Sequence, residues 1–225
     1  ATFSNENIVP GQDVLAMSAR SGIGNITASF NSTSGVLTLT SAGNTATLTE
    51  FQTALRSVTY ANTSDDPSTT TRNINFAVND SALGSNNITS TVAITAVNDA
   101  PVISGTTSLT YTENDAATTI NTAIVLSDVD NTTLANATVT ITNYVASQDI
   151  LSWSNDGSTM GNITIASNTG GVLTLTSAGN TATLAQFQAA LRAVQYANSS
   201  ENPTAGARNI DFAVNDSALT SNAVS

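Results

Sequence analysis

Short stretches in which apolar and polar residues alternate recur along the chain, separated by turns rich in Gly, Asn, Asp and Ser. Alternation with a period of two places the apolar side chains on one face of a β-strand, and the Val, Ile and Thr of these stretches fit a pleated surface. The pattern therefore predicts an all-β chain, and short strands between such turns are typical of β-sandwiches. The predicted strands are 25–29, 36–40, 58–60, 73–78, 108–113, 123–128, 137–142, 162–166, 172–176, 194–196 and 209–214.

One segment in each half of the chain breaks this alternation. Over 47–55 the apolar residues recur every three or four positions, which is the spacing of one face of a helix. Thr47 and Glu50 form the T-x-x-E pattern of a capping box, and Thr183 and Gln186 repeat it as T-x-x-Q. We therefore expect one short helix in each half, with its apolar stripe on the core, and we interpret Glu50 as a helix cap rather than a metal ligand.

Comparison of the chain with itself shows an internal repeat at an offset of 136 residues. The segment GVLTLTSAGNTATLTEFQTALRSVTYAN at 35–62 returns as GVLTLTSAGNTATLAQFQAALRAVQYAN at 171–198. RNINFAVNDSAL at 72–83 likewise returns as RNIDFAVNDSAL at 208–219. Copies this similar indicate recent duplication within a tandem array, and arrays of near-identical units usually serve as spacers.

The repeat predicts two domains that are both incomplete. We expect 1–98 to be the C-terminal part of one repeat, without its first strands, and 99–225 to be a second repeat without its last strand. Pro101 cannot donate a hydrogen bond to a strand ladder, and it restricts Ala100 to extended backbone angles. We therefore place a short link at 98–101, and a short link favours a stiff array over a flexible one.

Composition narrows the range of possible functions. The chain has five Arg, no Lys, no His and no Cys, against 16 Asp and Glu, for a net charge of −11. The lack of Cys and His excludes the usual zinc sites, disulfides and the common nucleophilic triads, so we do not expect an enzyme. So acidic a chain is not expected to bind nucleic acid, and its apolar runs are too short for membrane insertion. What remains is the binding of hard cations by carboxylates.

Most other charged residues are interpreted as structural. Asp is common in turns because its side chain bonds the local backbone, so we expect the following to lie in turns or in solvent: Asp13, Asp149, Asp156 and Asp211. Arg72 and Arg208 precede a strand at matching positions. Arg56 and Arg192 also match each other, on the predicted helices. We expect these four Arg to form ion pairs within their domains that offset the acidic surface, rather than a clamp for a ligand carboxylate or sulfate.

The residues around the domain boundary resemble a known family. The stretch VNDAP at 97–101 resembles the linker of cadherin-type domains, and DVD at 128–130 resembles the calcium-binding Asp-x-Asp of the domain that follows it. Glu113-Asn114 resembles the Glu-Asn of the first cadherin strand, and Asp216 the Asp between the last two strands. The whole repeat is similar to the cadherin-like repeats of giant bacterial surface adhesins, such as the extender domains of biofilm-associated and RTX-type adhesins.

This resemblance implies tandem cadherin-like sandwiches of the Ig-like Greek-key type with calcium at the junction between repeats. Calcium takes six to eight oxygen ligands, several of them from carboxylates. Carried over residue by residue, the junctional site consists of Asn98, Asp99, Asp128, Asp130 and Asp216. By the same logic Glu113 would face the next junction and Asp80 the previous one.

The expected function is that of a structural extender repeat in a secreted or cell-surface bacterial adhesin, stiffened by calcium and serving adhesion and biofilm formation. Its expected partners are neighbouring repeats of the same chain or identical chains. The alternative is a subunit of a self-assembling extracellular filament, joined by addition of a strand from another chain to an open sheet edge. A glycan- or partner-binding module is less favoured, because the sequence shows no cluster of aromatic residues.

Overall fold

The computed structural model describes all 225 residues. The chain divides into two compact units, Ala1–Val97 and Asn98–Ser225, which we call unit 1 and unit 2. Every strand pair is antiparallel, and the strands carry most of the regular structure, which confirms the all-β prediction. Each unit contains one α-helix, and neither has the length and apolar character needed to cross a bilayer.

Unit 1 contains seven strands and one helix. The elements are β1 Thr2–Glu6, β2 Asp13–Met17, β3 Ile26–Asn31, β4 Val36–Ser41, α1 Leu48–Leu55, β5 Val58–Asn62, β6 Arg72–Ala77 and β7 Ile88–Val92. Five strands form one sheet in the order β3-β4-β1-β6-β7, and β2 pairs with β5 in a second sheet. Side chains from both sheets and from α1 meet in one core.

Unit 2 repeats this plan and adds strands at its start. The elements are β8 Val102–Ser104, β9 Thr118–Thr119, β10 Val125–Ser127, β11 Asn136–Ile141, β12 Asp149–Ser152, β13 Ile163–Thr169, β14 Val172–Ser177, α2 Leu184–Arg192, β15 Gln195–Asn198 and β16 Ile210–Asn215. The sheets have the orders β13-β14-β11-β16 and β12-β15-β9, and β8 pairs with β10. Ile103 of β8 and Leu126 of β10 are buried in the core of this unit.

The predicted strands correspond to observed strands with one exception, the segment 108–113. Leu109 and Tyr111 do pack against the core, and the Tyr111 ring meets Tyr196 edge-on at 5.2 Å, so the alternation reported burial correctly. The segment pairs with no neighbouring strand, and a turn follows at its end, where the Asp115 N–H donates to the Thr112 carbonyl at 3.0 Å. Strands β1, β2, β7, β8, β9 and β12 have no counterpart among the predicted strands.

Both capping boxes are confirmed. Thr47 Oγ1 accepts the Glu50 N–H at 3.3 Å, and the Glu50 carboxylate accepts the Thr47 N–H at 2.7 Å. Thr183 and Gln186 make the same pair of bonds at 3.2 and 2.9 Å. The hydrogen bonds from Thr47 lower the pKa of the Glu50 carboxyl. Glu50 is therefore a helix cap, as the sequence predicted.

A glycine lies against each of these caps. Gly161 has a φ of +57°, and a Cβ there would come within 2.5 Å of the Gln186 amide. Gly24 has a φ of +59° and stands in the same relation to Glu50. Both the backbone angle and the close approach favour glycine at this position of the repeat.

Candidate metal centre

The five residues assigned to the junctional calcium site all belong to unit 2, and three segments bring them together. β8 and β10 are antiparallel, with Val102 opposite Ser127. The residues just before β8, Asn98 and Asp99, therefore lie at the same end of this pair as the turn that follows β10. That turn carries Asp128 and Asp130, and the turn after β16 adds Asp216.

Hydrogen bonds join the three segments into one cluster. The Asn98 Nδ2 donates to Asp216 Oδ2 at 2.7 Å, and the Asp99 N–H donates to Asp130 Oδ2 at 3.0 Å. Asn131 was not predicted from the sequence; its Nδ2 donates to Asn98 Oδ1 at 2.8 Å. The chain that enters unit 2 is thus held by polar groups of the turns around it.

Asp128 is the most constrained carboxylate of the cluster. Its Oδ1 accepts the N–H groups of Asp130 and Asn131 at 3.2 and 3.0 Å, whereas its Oδ2 is buried and has no hydrogen-bond partner. Burial raises the pKa of the Asp128 carboxyl, and the negative charge of Asp130 acts in the same direction. A buried carboxylate oxygen without a partner is costly, and a cation beside it would remove that cost.

The other two carboxylates are held in the ionised form. The hydrogen bond from the Asp99 backbone lowers the pKa of the Asp130 carboxyl. Burial opposes ionisation of Asp216, but hydrogen bonds from Asn98 and from the backbone of Leu219 and Ala218 outweigh it and lower its pKa. The cluster therefore carries negative charge at neutral pH and offers hard oxygen ligands.

The residue types fit calcium, although no three carboxylates converge into a ready-made metal site. The Asn98 side-chain amide lies between the Asp216 carboxylate and the Asn131 amide and forms a hydrogen bond with each. Carboxylate and amide oxygens are the ligands that calcium prefers.

Asp80 and Glu113 are not part of this cluster. Asp80 lies in unit 1, in the turn after β6, and its Oδ1 accepts the N–H groups of Ala82 and Leu83 at 2.9 and 2.8 Å. Asp216 makes the same turn in unit 2. Glu113 is exposed at the rim of a cavity of about 700 Å³ in unit 2, which Arg208 also lines.

Each unit contains a buried ion pair whose carboxylate partner the sequence analysis did not predict. Arg72 Nε donates to Asp13 Oδ2 at 2.7 Å in unit 1, and both side chains are at most 1% exposed. Arg208 Nε donates to Asp149 Oδ2 at 2.8 Å in unit 2. The expected ion pairs within the domains are confirmed for Arg72 and Arg208, but Arg56 and Arg192 form none. The expectation that Asp13 and Asp149 lie in turns or in solvent is wrong, since both carboxylates are buried.

Each of these carboxylates is fully occupied by hydrogen bonds. Asp149 also accepts from the Tyr196 hydroxyl at 2.7 Å, from Asn198 at 3.1 Å and from the Val145 N–H at 2.7 Å. Burial pushes the pKa of Asp149 upward, but these bonds outweigh it and leave the pKa below its ordinary value. Asp13 has the same set of partners. The network of unit 2 is satisfied internally, whereas in unit 1 the buried Nη2 of Arg72 has no hydrogen-bond partner.

No protein-family model matches the chain, and neither a curated protein nor a solved structure matches it. The resemblance to cadherin-like adhesin repeats therefore stays a prediction from the residues quoted above.

Proposed function

We propose that this chain is a structural extender segment of a secreted or cell-surface adhesin, in which tandem cadherin-like β-sandwiches are stiffened by calcium where one repeat leads into the next. The observation that carries the proposal is the buried, unpartnered Oδ2 of Asp128 beside Asp130, in the cluster that holds Asn98 and Asp99. The repetition of strands, helix and buried ion pair in both units supports the spacer interpretation.

Calcium would act by neutralising like charges that the fold already holds together. Asp128 and Asp130 would supply the first carboxylate oxygens, with Asp216, Asp99 and Asn98 completing the ligand set. Because Asn98 and Asp99 are the first residues of unit 2, an ion bound here would fix the entering chain to the turns of that unit. Binding to the ordered state alone stabilises it by about 2.7 kcal/mol at a hundredfold excess of ligand over Kd.

An extracellular location is part of the proposal. Extracellular calcium modules work with Kd values of about 10⁻⁴ to 10⁻³ M. The ligand set proposed here, four carboxylates and one amide, consists of the hard oxygen ligands that such modules use.

The test is thermal unfolding and small-angle scattering in millimolar calcium and then in excess chelator. Trp153, the single tryptophan, lies in unit 2 and reports the unit that contains the cluster. We expect calcium to raise the melting temperature seen by Trp153 and to stiffen and lengthen the particle. Asp128→Asn should abolish both effects.

The matched control is Asp156→Asn, which changes an exposed carboxylate in a turn of the same unit. This variant should respond to calcium as the unmodified chain does. A chain whose melting temperature and dimensions ignore calcium, or an Asp128→Asn variant that still responds, would rule out the site.

The alternative function, a filament subunit joined by strand addition, is favoured by a different observation: unit 1 exposes apolar side chains whose counterparts in unit 2 are buried. Growth of the particle with protein concentration in the same scattering experiment, independent of calcium, would favour this alternative.

A further inference from the structure

Two loops at matching positions of the repeat follow different paths. The loop before β6 in unit 1 contains Thr70, and the loop before β16 in unit 2 has Gly206 at the same place. Gly206 has a φ of +127°, a backbone angle that residues with a Cβ rarely adopt. Thr70 does not enter the positive-φ region. The two loops therefore cannot present the same main-chain groups to the ion pair beside them.

In unit 2 this loop completes the hydrogen bonding around the Arg208–Asp149 ion pair. The Thr204 N–H donates to Gln148 Oε1 at 3.0 Å, and the Thr204 carbonyl accepts from Arg208 Nη2 at 3.2 Å. Gln148 Oε1 and Arg208 Nη2 therefore reach the same residue of the loop. That residue supplies one donor and one acceptor.

In unit 1 the corresponding side-chain atoms are buried and have no partner. Gln12 Oε1 and Arg72 Nη2 stand at the positions of the two atoms that Thr204 satisfies, and neither forms a hydrogen bond within the protein. The Arg72 side chain is 0% exposed, whereas that of Arg208 is 10% exposed. Ser68, the counterpart of Thr204, thus bonds to neither atom, and bulk solvent does not reach them.

A third buried side chain without a partner faces the same part of the core. Asn5 on β1 is 6% exposed, and neither its Nδ2 nor its Oδ1 forms a hydrogen bond. Asn5 lies opposite Ile74 of β6, so Arg72, two residues earlier on β6, is its diagonal neighbour on the same face. Unit 2 has Ile141 at this position of the repeat. The extra polar group therefore occurs only in the unit whose loop differs.

The unpartnered atoms determine what kind of molecule can bind among them. Asn5 Nδ2 and Arg72 Nη2 are donors, whereas Asn5 Oδ1 and Gln12 Oε1 are acceptors. A bound anion would meet both acceptor oxygens and the Asp13 carboxylate, which already neutralises Arg72. A bound cation would meet the guanidinium. A small neutral molecule that both donates and accepts fits this set, and buried waters typically make about three such bonds.

We propose that unit 1 encloses an ordered water bound by Gln12, Arg72 and Asn5, where the Thr204 main chain binds in unit 2. The water accepts from Arg72 Nη2 and donates to Gln12 Oε1, which are the two bonds that Thr204 makes. Asn5 provides the third bond. Residues 5–72 form the whole site, and all three side chains are buried within them. The water lets the repeat keep its buried ion pair although the loop sequence differs.

The test is nuclear magnetic resonance of the full chain, with cross-relaxation between water and protein protons as the readout. Because Asn5 and Arg72 are buried, a water close to their protons is internal. We expect cross peaks at the water frequency for the Asn5 side-chain amide and for the Arg72 Nε–H. Relaxation dispersion of isotopically labelled water counts the long-lived internal waters of the same sample.

Thr70→Gly gives the loop of unit 1 the residue found in unit 2, so the Ser68 main chain should replace the water. We expect both cross peaks to disappear and the count of long-lived waters to fall by about one. Thr69→Gly is the matched control, because it introduces the same flexibility at the neighbouring position, where unit 2 has Ala205. This control should keep the cross peaks and the count.

A reciprocal variant keeps the proposal testable if Thr70→Gly unfolds unit 1. Gly206→Thr combined with Ile141→Asn copies the site of unit 1 into unit 2, and it should produce a new water cross peak at the Arg208 Nε–H. Lack of water cross peaks at Asn5 and Arg72 in the unmodified chain would overturn the proposal. Loss of the cross peaks in Thr69→Gly as well would contradict the role assigned to Thr70, since any loosening of the loop would then release the water.

Discussion

At the scale of single residues, both ion pairs of the chain join an Arg side chain to a buried carboxylate. Two of the five Arg pair with Asp13 and Asp149, which are buried between the sheets. A buried ion pair is no better than an apolar pair of the same shape, but removing one partner leaves the other charge uncompensated. The Arg–Asp pairs therefore make these positions of the repeat sensitive to single substitutions.

We predict that Arg208→Leu lowers the free energy of unfolding of unit 2 by about 3 kcal/mol at pH 7, because it leaves the Asp149 carboxylate buried without its cation. Urea unfolding followed by Trp153 fluorescence measures this directly. Glu201→Gln changes an exposed carboxylate with no ion-pair partner in the same unit, so it should shift stability by less than about 0.5 kcal/mol. Equal effects of the two substitutions would contradict the assigned role of the pair.

The same pair predicts a dependence on pH. The pKa of Asp149 is lowered in the folded state. Its ionised carboxylate therefore stabilises the fold at pH values above the ordinary pKa of an Asp side chain, about 3.9. That stabilisation is lost as the pH falls through the lower, folded-state pKa. In Arg208→Leu the buried carboxylate loses its cation, so its pKa rises and it takes up a proton at a higher pH than in the unmodified chain. The stability difference between the unmodified chain and the variant should therefore be largest near neutral pH and shrink as the pH falls. A difference that stays constant into strong acid would argue against this linkage.

At the scale of elements, each helix depends on its first turn. α1 and α2 have eight and nine residues, which is too short for stability without caps and packing. The capping boxes satisfy backbone N–H groups that the helix itself leaves free. Trp153 Nε1 donates to the Ala190 carbonyl of α2 at 2.9 Å, so the fluorescence of this residue reports the helix directly.

We predict that Thr183→Ala destabilises unit 2 by about 1 kcal/mol, the usual loss on removing an N-cap hydroxyl. Gln186→Glu should be nearly neutral, because Glu50 makes the same bonds in unit 1. Urea unfolding observed through Trp153 tests both variants. A cost for Gln186→Glu as large as that for Thr183→Ala would mean that the loop around Gly161 tolerates only the amide.

The strands and helix starts that the sequence predicted are those that a pattern of neighbouring residues can reveal. Alternation identified β4 and β14, and the T-x-x-E and T-x-x-Q patterns located both helix starts, because these signals lie within a few neighbouring residues. The segment 108–113 was wrongly predicted as a strand, because alternation reports which face is buried but not whether a partner backbone lies alongside.

The residues of the carboxylate cluster and of the ion pairs were also predicted only in part. The carboxylates that the structure brings together were predicted only through a family resemblance, whereas Asn131 belongs to no motif. Asp149 was not predicted as the ion-pair partner of Arg208, because the two residues are 59 apart in sequence and an isolated Asp looks the same in a turn and in a core. The signal available was the repetition of Asp, Tyr, Asn and Arg at one offset in both copies.

At the scale of the whole molecule, the two units are unequally packed. The core of unit 2 contains twenty buried apolar side chains and that of unit 1 only seven. Phe187, Val194 and Phe212 are fully buried in unit 2, whereas their counterparts Phe51, Val58 and Phe76 are half-buried. Because burial of apolar surface is the main stabilising term in folding, unit 1 should be the less stable of the two.

This inequality predicts two unfolding transitions in a single chain. In calorimetry without calcium, unit 1 should melt first, and Trp153 fluorescence should follow only the second transition, because this tryptophan belongs to unit 2. Hydrogen exchange should show the same order, with amides of β6 exchanging faster than the matching amides of β16. Val78→Ser should cost little, since Val78 is exposed, whereas Val214→Ser, at the matching buried position, should lower the second transition markedly. One transition that calorimetry and Trp153 fluorescence report at the same temperature would mean that the two units unfold cooperatively, despite their separate cores.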